Sequence, residues 1–250
     1  MKVSLLSYTP NADRILLFSK QTRLNMSPDS FQKVLNMKDD EVEKELKYVF
    51  GTIASSWEFV DYTFLITGVS RILTHELVRT RQASYAQQST RAVDMNDFEC
   101  VEPDMNTNKE NAIMIYSSCI NDIRESYKAL TNLGVNIQEA RGVLPMNIAT
   151  NIMMKINLRA LSHLMNDRLC IRAAGEYQKV ADEMKKRILE VHPWAKPVLQ
   201  VNCVQYGFCQ FRNFKDCPMK TNGFIKDHDP DSLENEWKKI RTSVQPKVGK

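Results

Sequence analysis

Arg79-Thr80-Arg81, seven residues, Ser89 and then Arg91 bring three guanidinium groups and a hydroxyl into one short stretch. Between Glu76 and Asp94 the sequence has no carboxylate to neutralise them. Guanidinium forks pair with phosphate oxygens two at a time, and a serine hydroxyl can donate to a third, so the spacing describes a site for an anion. A solvated basic loop would have the same composition.

Further along, a helical register set from Asn157 gathers Leu158, Leu161, Leu164, Met165, Leu169 and Ile171 on one face, with Arg168 and Arg172 in its middle. A charge inside an apolar stripe costs several kcal/mol, about as much as a buried ion does, unless something pairs with it. Arg172 has Glu176 one turn ahead, which reads as a local ion pair. Arg168 has no acid three or four residues away, and this favours a ligand. The opposite side carries Arg159, His163, Asn166 and Cys170, a polar face for which solvation is the simpler reading. Arg141, just before Gly142-Val143-Leu144-Pro145, has either a helix-capping or a binding role open to it.

The elements that must position these residues follow from periodicity. Strands are expected at Lys2 to Ser7, Glu58 to Gly68 and Ile148 to Ile156. Helices are expected at Asn11 to Arg23, Asp39 to Phe50, Val69 to Val78, Asn108 to Leu133, Asn136 to Leu144 and, longest of all, Leu158 to Val191. The helix over Val69 to Val78 delivers the arginine segment at its C-terminal end, where cations are favoured.

Across 250 residues, 43% hydrophobic composition suffices for a sizeable core. Net charge is only +4, from 34 Lys and Arg against 30 Asp and Glu, so bulk charge draws the chain to neither nucleic acid nor membrane. No run of 18 apolar residues and no apolar leader is present, and a cytoplasmic protein with reduced thiols is expected. Cys119 and Cys170 read as buried helical thiols. Cys203, Cys209 and Cys217, at five- and seven-residue gaps, match no standard zinc spacing, so they read as structural thiols and no metal is expected. Lys226 to Lys250 reads as a mobile polar tail. Only eight glycines occur, with no phosphate-binding glycine loop, so a bound nucleotide would be held by side chains.

Arg79-Thr80-Arg81-x7-Ser89 resembles the signature of flavin-dependent thymidylate synthases, Arg-His-Arg-x7-Ser followed by x-Arg. Two more matches come in order: Ala140-Arg141-Gly142-Val143-Leu144-Pro145, and Asn157-Leu158-Arg159-Ala160-Leu161-Ser162-His163 running on to Arg168. The resemblance implies an α+β fold with an antiparallel sheet and long packed helices, over residues 1–200, with residues 201–250 as a Cys-bearing extension. It implies reductive methylation of dUMP to dTMP with FAD as hydride carrier, NADPH as reductant and methylenetetrahydrofolate as carbon donor, in a homotetramer with sites shared between subunits. By position, Arg168 would grip and activate the uracil. Glu76, Gln87, Ser89, Thr90, Arg91 and Arg141 would hold the nucleotide, Arg141 coming from a neighbouring subunit. Arg79, Thr80, Arg81, Asn157, Arg159 and His163 would line the flavin and folate region.

The chain departs from the pattern at Thr80, where the signature has His, at Gln87, where many members have Glu, and at Glu76, where many have Gln. Residues 51–58 lack the family's flavin-holding His. Thr80 can donate one hydrogen bond but cannot stack or carry charge. A different pyrimidine substrate or a hydroxymethyl product fits these departures, and so does a catalytically silent homologue. A flavin-free nucleic-acid module would want aromatics among the arginines, and Tyr85 is the only one there.

Overall fold

The computed structural model describes residues 1–24, 26–52, 54–103, 105, 109–173, 175–211, 213, 215–221 and 230–243. In chain order the elements are β1 (Lys2–Tyr8), α1 (Ala12–Phe18), α2 (Pro28–Leu35), α3 (Asp39–Phe50), β2 (Asp61–Ser70), α4 (Arg71–Leu77) and β3 (Ala83–Gln87). They continue as α5 (Lys109–Asn132), α6 (Ile137–Ala140), β4 (Ala149–Asn157), α7 (Leu158–Arg168), α8 (Gly175–Val191), α9 (Asn202–Tyr206), α10 (Pro218–Thr221) and α11 (Pro230–Ser243). The strands form one antiparallel sheet in the order β1-β2-β4-β3, giving the expected α+β class. Among the described residues no helix is long and apolar enough to cross a membrane.

Register is visible in the cross-strand bonds. Thr9 N donates to Asp61 O (3.1 Å), Leu158 N to Val60 O (2.7 Å) and Gln88 N to Asn151 O (2.9 Å). Thr150, Ile152, Met154 and Ile156 are buried, in alternation with more exposed neighbours, which is the period-2 signature of a sheet with one covered face.

Two compact units are present. The first comprises Met1–Lys2, Leu65–Arg81 and Tyr85–Met154, the second Val3–Phe64, Gln82–Ser84 and Lys155–Lys250. In the first, Phe98, Ile120 and Ile148 make a small core, roofed by the Arg124 guanidinium 5.1 Å from the Phe98 ring. In the second, Val60, Tyr62, Phe64, Leu161, Tyr177 and Met184 are among the fully buried residues.

Three expectations need correction. The single helix over Leu158 to Val191 is two helices, because α7 ends at Arg168 and α8 begins at Gly175. The Gln178 side chain reaches back from α8 and donates to the carbonyls of Leu169 (3.2 Å) and Cys170 (2.8 Å), satisfying the end of α7 at the break. Gly175 starts a helix here, where it costs less than the roughly 1 kcal/mol it would cost inside one. Arg172 and Glu176 therefore do not share a helix. Second, the tail is not irregular throughout: α11 occupies Pro230–Ser243 and buries Leu233, Trp237 and Ile240. The rest of that stretch lies outside the described residues. Third, Cys119 is exposed on α5, and Cys170 is half-buried beyond the end of α7.

A buried imidazole gives the second unit a pH dependence. His192 Nδ1 is 3.0 Å from Tyr62 Oη, with the Tyr8, Tyr62 and Trp194 rings around it. Burial lowers its pKa, against a smaller opposing influence of Asp13. The unfolded chain then binds a proton more readily than the folded one, so stability is full above the ordinary histidine range and falls as pH drops below it. Thermal melting from neutral to mildly acidic pH should show this loss, and a His192→Gln variant should show a flatter profile.

Candidate active site

In the first unit the site begins at Ser70, whose side chain caps α4 by accepting from Leu73 N (3.0 Å). Next comes the arginine turn, followed by β3. Tyr85, on β3, donates from Oη toward the carbonyls of Leu77 (2.8 Å) and Thr80 (3.0 Å), so one phenol fastens the turn bearing Arg79, Thr80 and Arg81. This fixes a segment that composition alone cannot distinguish from a loose loop. Gln87 Nε2 donates to Thr74 Oγ1 (2.9 Å), tying the end of β3 to α4. Past it, Asn151 Nδ2 donates to Gln88 Oε1 (2.8 Å), and Arg91 N donates to Ser89 Oγ (3.2 Å). Glu76, Thr80, Gln87 and Thr90 are half-buried, while Arg79, Arg81, Ser89 and Arg91 are exposed.

Among the described residues, no carboxylate stands at ion-pair distance from Arg79, Arg81 or Arg91. The local surface is cationic and open, with the Ser89 oxygen built into a turn beside it. No His or carboxylate is hydrogen-bonded to Ser89 among the described residues, so nothing activates it as a nucleophile. Removing the Tyr85 hydroxyl should loosen the turn without unfolding the unit. A Tyr85→Phe variant is expected to weaken binding of an anionic ligand by roughly 5- to 30-fold, the effect of losing one or two hydrogen bonds worth about 1 kcal/mol each, with little change in melting temperature.

Arg141 lies in a 3-10 turn after α6, and its Nε donates to Gln138 O (3.0 Å). This is the capping role, and it leaves the two terminal amino groups of the guanidinium without a protein partner among the described residues. Arg71, which the sequence did not single out, is half-buried on the first turn of α4, with Nη1 shielded from water and no hydrogen-bond partner among the described residues. Nothing in its spacing distinguishes it from an ordinary surface arginine.

The remaining expected residues belong to the second unit. Asn157 ends β4 and caps α7, its side chain accepting from Ala160 N (2.9 Å). Arg159 Nη1 is 2.7 Å from Glu58 Oε1, an ion pair with both side chains about half exposed. His163 is exposed. Asn166 is not on a solvated face: it is buried, and its Nδ2 donates to Gln200 O (2.8 Å) and Gln205 Oε1 (2.6 Å). Arg168, the last residue of α7, is half-buried with its guanidinium carbon 4.3 Å from the Tyr177 ring centre. The apolar stripe that raised the question of its charge is real over Leu158 to Met165, but the aromatic face of Tyr177 meets the cation.

Glu58 also lines a cavity of about 920 Å³, together with Lys20, Glu45, Tyr48, Ser55 and Phe59. Tyr48 and Phe59 are more than half exposed, which offers aromatic faces to a planar ligand. Adjacent Trp57 has its Nε1 buried without a hydrogen-bond partner among the described residues. In the sequence, residues 51–58 stand out only by the His they lack, and nothing in their spacing announces a cavity.

Comparison with known proteins gives a consistent answer. The profile of the family described as Thymidylate synthase complementing protein matches residues 4–194. The Flavin-dependent thymidylate synthase of Pyrococcus furiosus is 32% identical, over 97% of this chain and 99% of its own length. That of Nitratidesulfovibrio vulgaris is 33% identical over 83% and 90%, and that of Clostridium tetani 32% over 77% and 84%. With a family match across most of its length and relatives of equal span, the chain belongs to the flavin-dependent thymidylate synthases, a family of methyl-transferring enzymes.

Proposed function

We propose that this chain converts dUMP to dTMP, taking the carbon from methylenetetrahydrofolate and reducing equivalents from NADPH through FAD, in a homotetramer with shared sites. The observation that carries this reading is the fastened arginine turn with Ser89 and Arg91, a cationic strip that no carboxylate offsets among the described residues. A cytoplasmic setting fits the six free cysteines.

The donor set fits a dinucleotide cofactor. In the second unit the cavity offers two exposed aromatic rings and hydroxyls, and its lining residue Glu58 pairs with Arg159. In the first unit, Arg79 and Arg81 carry charge of the sign that phosphate needs. We assign cofactor contacts to Arg79, Thr80, Arg81, Asn157, Arg159 and His163. Asn157 contributes chiefly by setting the direction of α7. When bound, FAD supplies hydride-transfer chemistry, which removes the need for a cysteine nucleophile.

The chain's own residues do the rest. Ser89, Thr90, Arg91 and Arg141 bind and orient the nucleotide, Ser89 keeping its hydroxyl hydrogen for a phosphate oxygen because its oxygen already accepts from Arg91 N. Gln87, held by Thr74, and Glu76 border the same strip. Negative charge that develops on the pyrimidine during reaction at C5 is stabilised by the fixed guanidinium of Arg168.

Two measurements test the reading. Purified protein should show flavin absorption that changes when dUMP is added. With NADPH and methylenetetrahydrofolate present, it should also release tritium from C5-labelled dUMP. Protein that stays colourless after reconstitution with FAD, or that releases tritium only from the dCMP analogue, overturns it.

A further inference from the structure

The second unit contains another cavity, of about 900 Å³, walled by α8, the 3-10 turn at Pro193–Val198 and α11. No residue assigned above to nucleotide or cofactor lines it. Its charged lining is unbalanced. Lys185, Lys186, Lys196, Lys238 and Arg241 stand against Asp182, Glu190 and Glu234, five cations to three carboxylates.

Those carboxylates are committed. Asp182 accepts from both terminal nitrogens of Arg241, with Nη1 at 2.7 Å from Oδ1, and the same guanidinium lies 5.0 Å from the Trp237 ring. Glu190 pairs with Arg187 (2.9 Å), which is not among the lining residues. Glu234 alone serves three ammonium groups, Lys238 at 3.1 Å, Lys196 at 3.3 Å and Lys185 at 3.8 Å. Lys186 is exposed, and among the described residues no carboxylate pairs with it. The floor of the cluster is shielded from water: the Glu234 side chain is 6% exposed and that of Lys185 13%. Gln200 fixes the Lys185 ammonium by accepting a hydrogen bond (2.9 Å). Burial lowers that ammonium to about 8, Glu234 opposes the fall, and Lys238 and Lys196 deepen it. One carboxylate thus holds together ammonium groups that repel one another.

We propose that this cavity binds a compact polyphosphate anion, an inorganic chain or the phosphate end of a nucleotide, which Lys185, Lys186, Lys196 and Lys238 grip so that α8 and α11 are bridged. Ammonium groups are point charges that meet phosphoryl oxygens from many directions. The planar fork of Arg241, which would select a carboxylate, is already taken by Asp182. The cations come from three elements, and Lys186 sits about 100° further round α8 than Lys185, so a ligand that answers them all has its charge spread along its length. The volume is in the upper part of the range for small-molecule sites and leaves room for several phosphoryl groups. Trp237 is buried, so its ring offers no stacking surface for a base, and the phosphates are the part recognised. Lys196, Glu234, Lys238 and Arg241 all lie beyond residue 194, where the family profile ends.

The test uses the full chain, with inorganic tripolyphosphate as the probe, in metal-free buffer whose ionic strength is held constant with KCl. Amide hydrogen exchange read peptide by peptide should slow in α8 and α11 and saturate with tripolyphosphate. This local readout separates the cavity from the cationic strip of the first unit, and an Arg79→Ala/Arg91→Ala variant should keep the protection. Lys186→Gln should weaken it by about 3- to 10-fold, and Lys186→Gln/Lys238→Gln by about 10- to 100-fold, as charge-assisted contacts are lost. Lys238 also holds Glu234, so the double variant could loosen α11; Lys186, which has no such pair, then decides. ATP that protects as tripolyphosphate does means that the phosphate chain alone is read, whereas tighter binding of ATP identifies a nucleotide, and both support the site. No slowing in α8 and α11 at millimolar tripolyphosphate overturns the proposal. So does equal protection by sulfate at the same ionic strength, or protection that Lys186→Gln leaves unchanged.

Discussion

Replacing Arg168 with alanine is expected to lower turnover of dUMP by about 10²- to 10³-fold, the usual cost of removing a donor from a site where negative charge develops. The side chain is half-buried, so the surrounding protein screens it less than water would, and its position is fixed twice: by the end of α7 and by the Tyr177 ring 4.3 Å away. Stacking engages the face of the guanidinium, so its N–H edge lies in the plane in which a pyrimidine oxygen can accept. Lysine keeps the charge but loses the planar fork, so Arg168→Lys should fall between the two. The stack is worth about 1 kcal/mol, so the alanine variant should remain folded. Turnover is read as tritium release at saturating dUMP, and binding as the dUMP-induced change in the flavin spectrum. A loss in turnover that exceeds the loss in binding supports ring activation. Full turnover in Arg168→Ala removes that role.

How much of this was legible in the sequence depended on the range of the interactions. β1, β4 and α3 match their expected spans within a residue or two because local alternation, apolar spacing and an acidic first turn specify them. The break between α7 and α8 was hidden because the apolar stripe runs through it. What ends α7 there is Gln178 returning to the carbonyls of Leu169 and Cys170, and a single glutamine in an amphipathic pattern announces no such bond. The arginine segment was legible as chemistry but not as structure: its charge pattern is local, whereas the Tyr85 bonds that fasten it close a turn and carry no sequence signature. Arg71 and the cavity beside Glu58 were not legible at all. Each depends on which atoms lose contact with water, a property of the packed chain.

The largest structural misreading, the polar tail, leads to the second prediction. Residues 230–243 look polar because α11 shows its charges to the sequence, while Leu233, Trp237 and Ile240 recur at the spacing of one buried face. Trp237→Ala should cost about 3–5 kcal/mol, the usual loss for a buried indole, seen as a lower urea midpoint with an unchanged slope. Beside it, the Glu234 carboxylate is 6% exposed and meets Lys238 at 3.1 Å, Lys196 at 3.3 Å and Lys185 at 3.8 Å. Burial works against that carboxylate, but the Lys238 hydrogen bond and the three ammonium charges outweigh it and hold its pKa below the usual range. Burial lowers Lys185 to about 8, with Glu234 the main influence opposing the fall. Glu234→Gln leaves the buried Lys185 without its carboxylate. The expected loss is roughly 1–3 kcal/mol, below the figure for a wholly buried pair because Lys196 and Lys238 are about half exposed. Linkage gives the sign of the pH effect. The carboxylate contributes only above its native pKa, so the parent loses this stabilisation in acid. Above about pH 8 Lys185 loses its proton, and the absent partner matters less. The deficit of the variant should therefore peak near neutral pH and shrink in both directions. A deficit that is flat across pH would mean that α11 is held by its apolar face alone.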